Sequence, residues 1–190
     1  PRGKAKASAA RAAPGGKACH LAELGATVTA ADISEDRLVK VDENANRLNL
    51  SITSVLSDGR SLHEVLAHAS FDAILLDVPC SATGVMRRNP DVKVIRRKSD
   101  IDQFAALQSE LLQSVWALLK PGGRLLYATC SVLSQENDAI VGRFLNAEKT
   151  AHPMILPQTV GVATTYGQQV IPSALGCLLY TSPSPRDGLL

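Results

Sequence analysis

A doubly wound, mostly parallel α/β sheet is the fold this sequence predicts, on three observations. Short apolar, β-branched runs alternate with segments whose apolar residues recur at helical spacing. Acids or a cysteine stand at or just past the ends of these runs, at Asp32, Asp58, Asp77 and Cys130. The length, 190 residues, suits one such domain. Ligands of open α/β sheets bind beyond the carboxyl ends of the strands, where those four residues would gather.

The elements follow in order. Residues 12–17 (AAPGGK) read as a Gly-rich turn of the kind that follows a first strand. The preceding PRGKAKASAAR holds no apolar β run, so the first strand is expected to be missing. Residues 1–11 are expected to be non-matching, mistranslated sequence, and the domain to run over 12–176. Ala26–Ala31 (ATVTAA) is a strand ending at Asp32. A helix over 35–48 carries Leu38, Val41, Ala45 and Leu48 on one face. Ile52–Leu56 is a strand ending before Asp58-Gly59, and Phe71–Leu76 a buried strand ending at Asp77. A long helix over 101–119, with Phe104, Leu107, Leu111, Val115 and Leu118 in a stripe, is stopped by Pro121-Gly122-Gly123. Arg124–Ala128 is the next strand, leading into Thr129-Cys130. Ser134 is expected to cap a helix reaching about 146, with Glu136 in its first turn favouring the dipole. Cys177–Asp187 (CLLYTSPSPRD) looks like a translated sequencing adapter, and 177–190 is expected to be an artefactual tail; a natural Pro/Ser-rich tail is the alternative.

Composition narrows the function classes. With 45% hydrophobic and 20% charged residues the chain can build a sizeable core. Aromatics at 4% argue against an aromatic stacking platform for nucleic acid. No run approaches a membrane span and no signal-type apolar region opens the chain, so a cytoplasmic monomer with reduced thiols is expected. The net charge of +2 is uneven: residues 87–98 hold six basic groups against Asp91, in a body that is otherwise acidic. Such a patch suggests a localised polyanion site, with a solvated loop as the plain alternative.

The AAPGGK turn lets the backbone approach a ligand at Gly15 and Gly16, but it lacks the G-x-G-x-x-G of dinucleotide folds, which disfavours a nicotinamide oxidoreductase. Asp32 suits a ribose diol or, equally, a helix N-cap. Asp58 could accept from an adenine amino group or simply belong to an Asp-Gly turn. The sharper signal is a pair of thiols, Cys80 in Asp77-Val78-Pro79-Cys80-Ser81 and Cys130 in Thr129-Cys130-Ser131. Neighbouring strands would bring them within ~10 Å. Cys19, on a helix, reads as a buried structural thiol. His20, His63, His68 and His152 are not spaced as metal ligands, and no C-x-x-C is present. Two thiols and a carboxylate suit one demanding reaction. A thiolate adding to carbon-6 of cytosine makes carbon-5 nucleophilic toward an electrophilic methyl group, a carboxylate at the N3/N4 edge promotes the addition, and loss of the carbon-5 proton after methylation releases the thiol. The base must be single-stranded or flipped out.

At these residues the chain resembles the NOL1/NOP2/Sun family of RNA cytosine-C5 methyltransferases. The matching text is AAPGGK (12–17), VTAADIS (28–34), SDGR (57–60), FDAILLDVPCSATGVMRRNPDVKVIRR (71–97), LQSELLQSVWALLKPGGRLLYATCSVLSQEN (107–137) and GQQVIP (167–172). PCSATGV followed by RRNPD is particular to the Sun-type branch. The resemblance implies a Rossmann-like class I S-adenosylmethionine-dependent methyltransferase acting on small-subunit (16S) ribosomal RNA. It implies that Cys130 is the nucleophile, that Cys80 assists release, and that Asp77 contacts the cytosine at the edge of the cofactor site. Ala12, Ala13, Pro14, Gly15, Gly16, Lys17, Asp32, Asp58 and Asp77 are implied to bind S-adenosylmethionine. Arg87, Arg88, Lys93, Arg96 and Arg97 are assigned to RNA phosphates. Relatives carry an N-terminal helical RNA-binding domain, expected to be absent here, and a Cys where this chain has Arg11. A same-fold methyltransferase for another substrate would need no role for Cys130, and an inactive fragment of such an enzyme is the non-enzymatic alternative.

Overall fold

The computed structural model describes residues 5–10, 15–154 and 161–170. The chain divides into two compact units, Pro1–Val78 with Glu110–Ala128, and Pro79–Ser109 with Thr129–Leu190. No helix among the described residues is long and apolar enough to cross a membrane.

Among its described residues the first unit holds five parallel strands: β1 (Lys6–Ala10), β2 (Thr27–Asp32), β3 (Ile52–Leu56), β4 (Phe71–Asp77) and β5 (Leu119–Ala128), in the order β3-β2-β1-β4-β5. Its helices are α1 (Gly16–Glu23), α2 (Glu35–Arg47), α3 (Leu62–Val65) and the end of α5 (Lys98–Trp116); α4 (Val92–Ile95) precedes α5 in the second unit. The strand order reverses between β1 and β4, which is where such sheets bind ligands.

The expectation of a missing first strand is corrected. Lys6–Ala10 is that strand, and it is the central one, with Ser8 paired to Thr29 on one side and Ile74 on the other. KASAA is illegible as β because Ala and Ser carry little β preference. Here the strand is specified by two flanking ladders and by its small side chains: Ala7, Ser8 and Ala9 are all buried. Ala9 joins Ala18, Val28, Ala30 and Val41 in one core cluster.

Two further expectations change. The long helix starts at Lys98, where Asp100 accepts from the Arg97 N–H, and it ends at Trp116, before the Pro-Gly-Gly. Pro121-Gly122-Gly123 lies inside β5 as a bulge: Leu119 pairs with Phe71, but Arg124 already pairs with Ala73. Gly122 at φ 76 supplies the left-handed residue that this excursion needs. Asp72 clamps the same end of the sheet, accepting from the Lys6 N–H and from Lys120 Nζ, each at 2.7 Å. Those two donors, Lys120 first, hold its carboxyl below the usual range.

Gly15 caps α1 in the left-handed region at φ 99, and a Cβ there would meet Val41 Cα at 3.0 Å. Gly15→Ala combines backbone strain with a clash against the α2 backbone. It should cost about 2 kcal/mol of unfolding free energy in a denaturant titration. An unchanged midpoint would show that the turn relaxes freely.

In the second unit a 3₁₀ turn over Ser134–Glu136 precedes α6 (Asp138–Ala147), and a small hairpin pairs β6 (Val162–Ala163) with β7 (Gln168–Gln169). The expected single helix capped by Ser134 is therefore corrected. Asn137 stands at the start of α6, accepting from Thr129 Oγ1 at 2.6 Å and donating to the Ser131 carbonyl at 2.9 Å. Asp138 receives the hairpin through Thr164 Oγ1 and the Thr165 N–H. The tail over 177–190 and the loop residues Ala12, Ala13 and Pro14 lie outside the described residues.

Candidate active site

The first unit gathers the expected cofactor-side residues at the carboxyl ends of its strands. Lys17, in the first turn of α1 after β1, forms an ion pair with Asp77 at the end of β4. A lysine and a carboxylate thus meet at the sheet's switch point. Asp32, 3% exposed at the end of β2, accepts from the Ser34 N–H through Oδ1 at 3.0 Å, with Arg37 Nη1 at 3.6 Å. Its Oδ2 is buried and has no hydrogen-bond partner among the described residues. An orphaned buried carboxylate oxygen is costly, and it fits a ligand hydroxyl that donates to it. The turn role and the ribose role of Asp32 are therefore compatible, one oxygen for each.

Asp58 is engaged differently. Its carboxylate turns back onto Arg60, accepting from that residue's N–H at 2.9 Å and from Nη2 at 2.6 Å, and it caps the 3₁₀ turn Gly59–Ser61. The Arg60 side chain is the largest cause holding the Asp58 carboxyl below its ordinary value. The Asp-Gly turn reading is what the geometry displays.

The second unit brings the thiols together. Cys80 Sγ and Cys130 Sγ lie 3.1 Å apart as free thiols. Cys80 is buried and Cys130 exposed, so one sulfur can face a substrate while the other is covered. The turn after Cys80 folds over Cys130: Gly84 N–H donates to the Cys130 carbonyl at 2.9 Å, and a Cβ on Gly84 would sit 2.7 Å from that oxygen. The Cys130 hydrogen bond, together with backbone donors at Ala82 and Cys130, overcomes burial and lowers the Cys80 thiol to about 7. Cys19 is buried, and burial pushes its thiol up, as an inert structural cysteine requires.

The depressed Cys80 value carries a stability signature. A group whose folded value lies below its unfolded one adds stability that is fully present above the unfolded value and lost as pH falls through the folded one. For Cys80 the window runs from 9.0 down to about 7. The stability advantage of the parent chain over Cys80→Ser should therefore grow as urea titrations move from pH 7 to pH 9; a gap that stays constant would contradict the lowered thiol.

The basic segment is not uniform. Arg87, Arg88, Lys93 and Arg97 are exposed. Arg96 is half-buried, donating Nε to the Ser81 carbonyl at 3.1 Å with its guanidinium 5.1 Å from the Phe104 ring centroid. Through these contacts it props the Cys80 turn. Sequence reasoning also missed Ser81, Gln108, Ser131 and Glu136, all buried around the thiols. The available signal was the repeated Cys-Ser dipeptide at 80–81 and 130–131.

Residues 6–186 match the model of the family described as 16S rRNA methyltransferase RsmB/F. A Ribosomal RNA small subunit methyltransferase B from Proteus mirabilis (strain HI4320) is 51% identical over 142 residues, 74% of this chain and 34% of the relative. The chain thus spans about a third of the length of the curated relatives it matches. Among solved structures, the crystal structure of PH0851 aligns with a TM-score of 0.77 at 32% identity, covering 86% of this chain and 38% of that one. The crystal structure of NSun6 from Pyrococcus horikoshii with SFG aligns with a TM-score of 0.71 at 30% identity, covering 84% and 40%.

Proposed function

The chain belongs to the 16S rRNA methyltransferase RsmB/F family, and from that membership we propose that it is the catalytic part of an S-adenosylmethionine-dependent RNA cytosine-C5 methyltransferase acting on small-subunit ribosomal RNA. Its parallel sheet is the Rossmann-like α/β fold of class I methyltransferases. The observation that carries the proposal is the thiol pair, one sulfur exposed and one covered at 3.1 Å. When bound, S-adenosylmethionine supplies an electrophilic methyl group on a positively charged sulfur. Gly15, Gly16, Lys17 and Asp32 would hold it, with Ala12, Ala13 and Pro14 completing the loop. The free Asp32 Oδ2 would take a ribose hydroxyl. Asp58 would reach the adenine amino group only by sharing its carboxylate with Arg60.

The remaining roles fall to the chain's own groups. Cys130 adds through sulfur to carbon-6 of the target cytosine. Asp77 accepts from the N3/N4 edge of the ring and promotes that addition. Once carbon-5 carries the new methyl group, Cys80, with a thiol near neutrality, takes the carbon-5 proton, and elimination then frees Cys130. Incubation of the chain with small-subunit RNA and methyl-labelled S-adenosylmethionine should place the label in 5-methylcytidine after nucleoside digestion. Label in another nucleoside would overturn the proposal.

Arg87, Arg88, Lys93, Arg96 and Arg97 would position the RNA through phosphates. Changing the four exposed ones, Arg87, Arg88, Lys93 and Arg97, to Gln should flatten the log-affinity versus log-salt slope by roughly 0.7–0.9 for each phosphate no longer neutralised. A slope equal to the parent's would remove this segment from the RNA interface.

A further inference from the structure

Glu136 is fully buried, and the chemistry above gives it no part. Its Oε1 accepts from the Ser81 N–H at 2.8 Å and from Gln108 Nε2 at 3.2 Å. Its Oε2 accepts from the hydroxyls of Ser81 and Ser131, each at 2.5 Å. Ser81 follows Cys80 and Ser131 follows Cys130, so one carboxylate ties together the residues next to both thiols. Gln108 Nε2 also donates to the Pro79 carbonyl at 2.8 Å, gripping the Cys80 turn from its other side.

A buried acid is costly unless donors surround it, and a well-packed apolar side chain would often be as stable. What an apolar residue cannot do is hold two separate turns by directed bonds. We infer that Glu136 is a positioning residue, whose carboxylate braces the two Cys-Ser turns and fixes the contact between Cys80 and Cys130. The brace also has an electrostatic mark: its charge pushes the Cys80 thiol up, against the larger downward pull of Cys130.

The inference rests on the thiol-pair reading, and its test avoids methyl transfer so that the two can fail separately. Alkylation by iodoacetamide against pH, read by mass spectrometry on the Cys80 and Cys130 peptides of the full chain, reports each thiol's midpoint. Closure by diamide reports the geometry: two thiols give up two protons and two electrons to form one disulfide, and the diazene is reduced to the hydrazine. Glu136→Gln keeps the shape and removes the charge. It should lower the Cys80 midpoint by roughly half a pH unit and slow closure relative to single alkylation by roughly tenfold. A folded Glu136→Gln with both readouts unchanged overturns the brace. Should that variant fail to fold, Ser131→Ala keeps the charge and cuts one strut. Slower closure is then expected, and an unchanged closure ratio overturns the inference. Both shifts in a chain that never methylates cytosine would sink the proposed reaction and leave the brace standing.

Discussion

Cys130→Ala is expected to abolish methyl transfer and all covalent capture of RNA, whereas Cys80→Ala should accumulate a protein–RNA adduct on ordinary cytosine. The two outcomes differ because the two sulfurs differ. Cys130 is exposed, while Cys80 is buried with its sulfur 3.1 Å away. Removing the attacking sulfur forfeits covalent catalysis, a loss on the order of 10³-fold or more in rate. Removing the second leaves addition intact and blocks elimination, so the adduct persists through denaturing electrophoresis. Capture by Cys130→Ala but not by Cys80→Ala would reverse the assignment.

Asp32→Asn should weaken S-adenosylmethionine binding by roughly ten- to a hundredfold and leave the fold at least as stable. Asn keeps an oxygen to accept from the Ser34 N–H. It replaces the orphaned, buried Oδ2 with an amide nitrogen that cannot accept from a ribose hydroxyl. Removal of a buried, incompletely paired negative charge should offset the loss of the Arg37 pairing at 3.6 Å. Calorimetric titration with the cofactor and a urea midpoint check the two halves. Unchanged affinity would make Asp32 only the cap of the turn before α2.

Where local pattern and tertiary demand agree, the sequence is enough. Ile52–Leu56 is a strand with the bounds its pattern predicts, and Asp32 and Asp77 stand at strand ends. β1 escapes sequence reading because its identity lies in its neighbours: Ser8 is a strand residue only through its pairing with Thr29 and Ile74. Glu136 escapes for a related reason. Two residues after Ser134 it looks like an acid completing a helix start, yet Ser81 and Gln108 draw it inward from 55 and 28 residues away. Arg96 reads as free charge in the sequence because its partners, Phe104 and the Ser81 carbonyl, are brought to it by folding. The thiol pair is legible because both cysteines follow strand-like runs and carry the same serine.

The most direct test of the thiol chemistry is mass mapping of the adduct formed with RNA containing 5-fluorocytosine in the presence of S-adenosylmethionine. Fluorine cannot leave carbon-5 as a proton, so the intermediate is held. The expected result is a nucleotide mass on the peptide bearing Cys130, with the Cys80 peptide unmodified. A nucleotide mass on Cys80, or RNA methylated at cytosine by a Cys130→Ala chain, would contradict it.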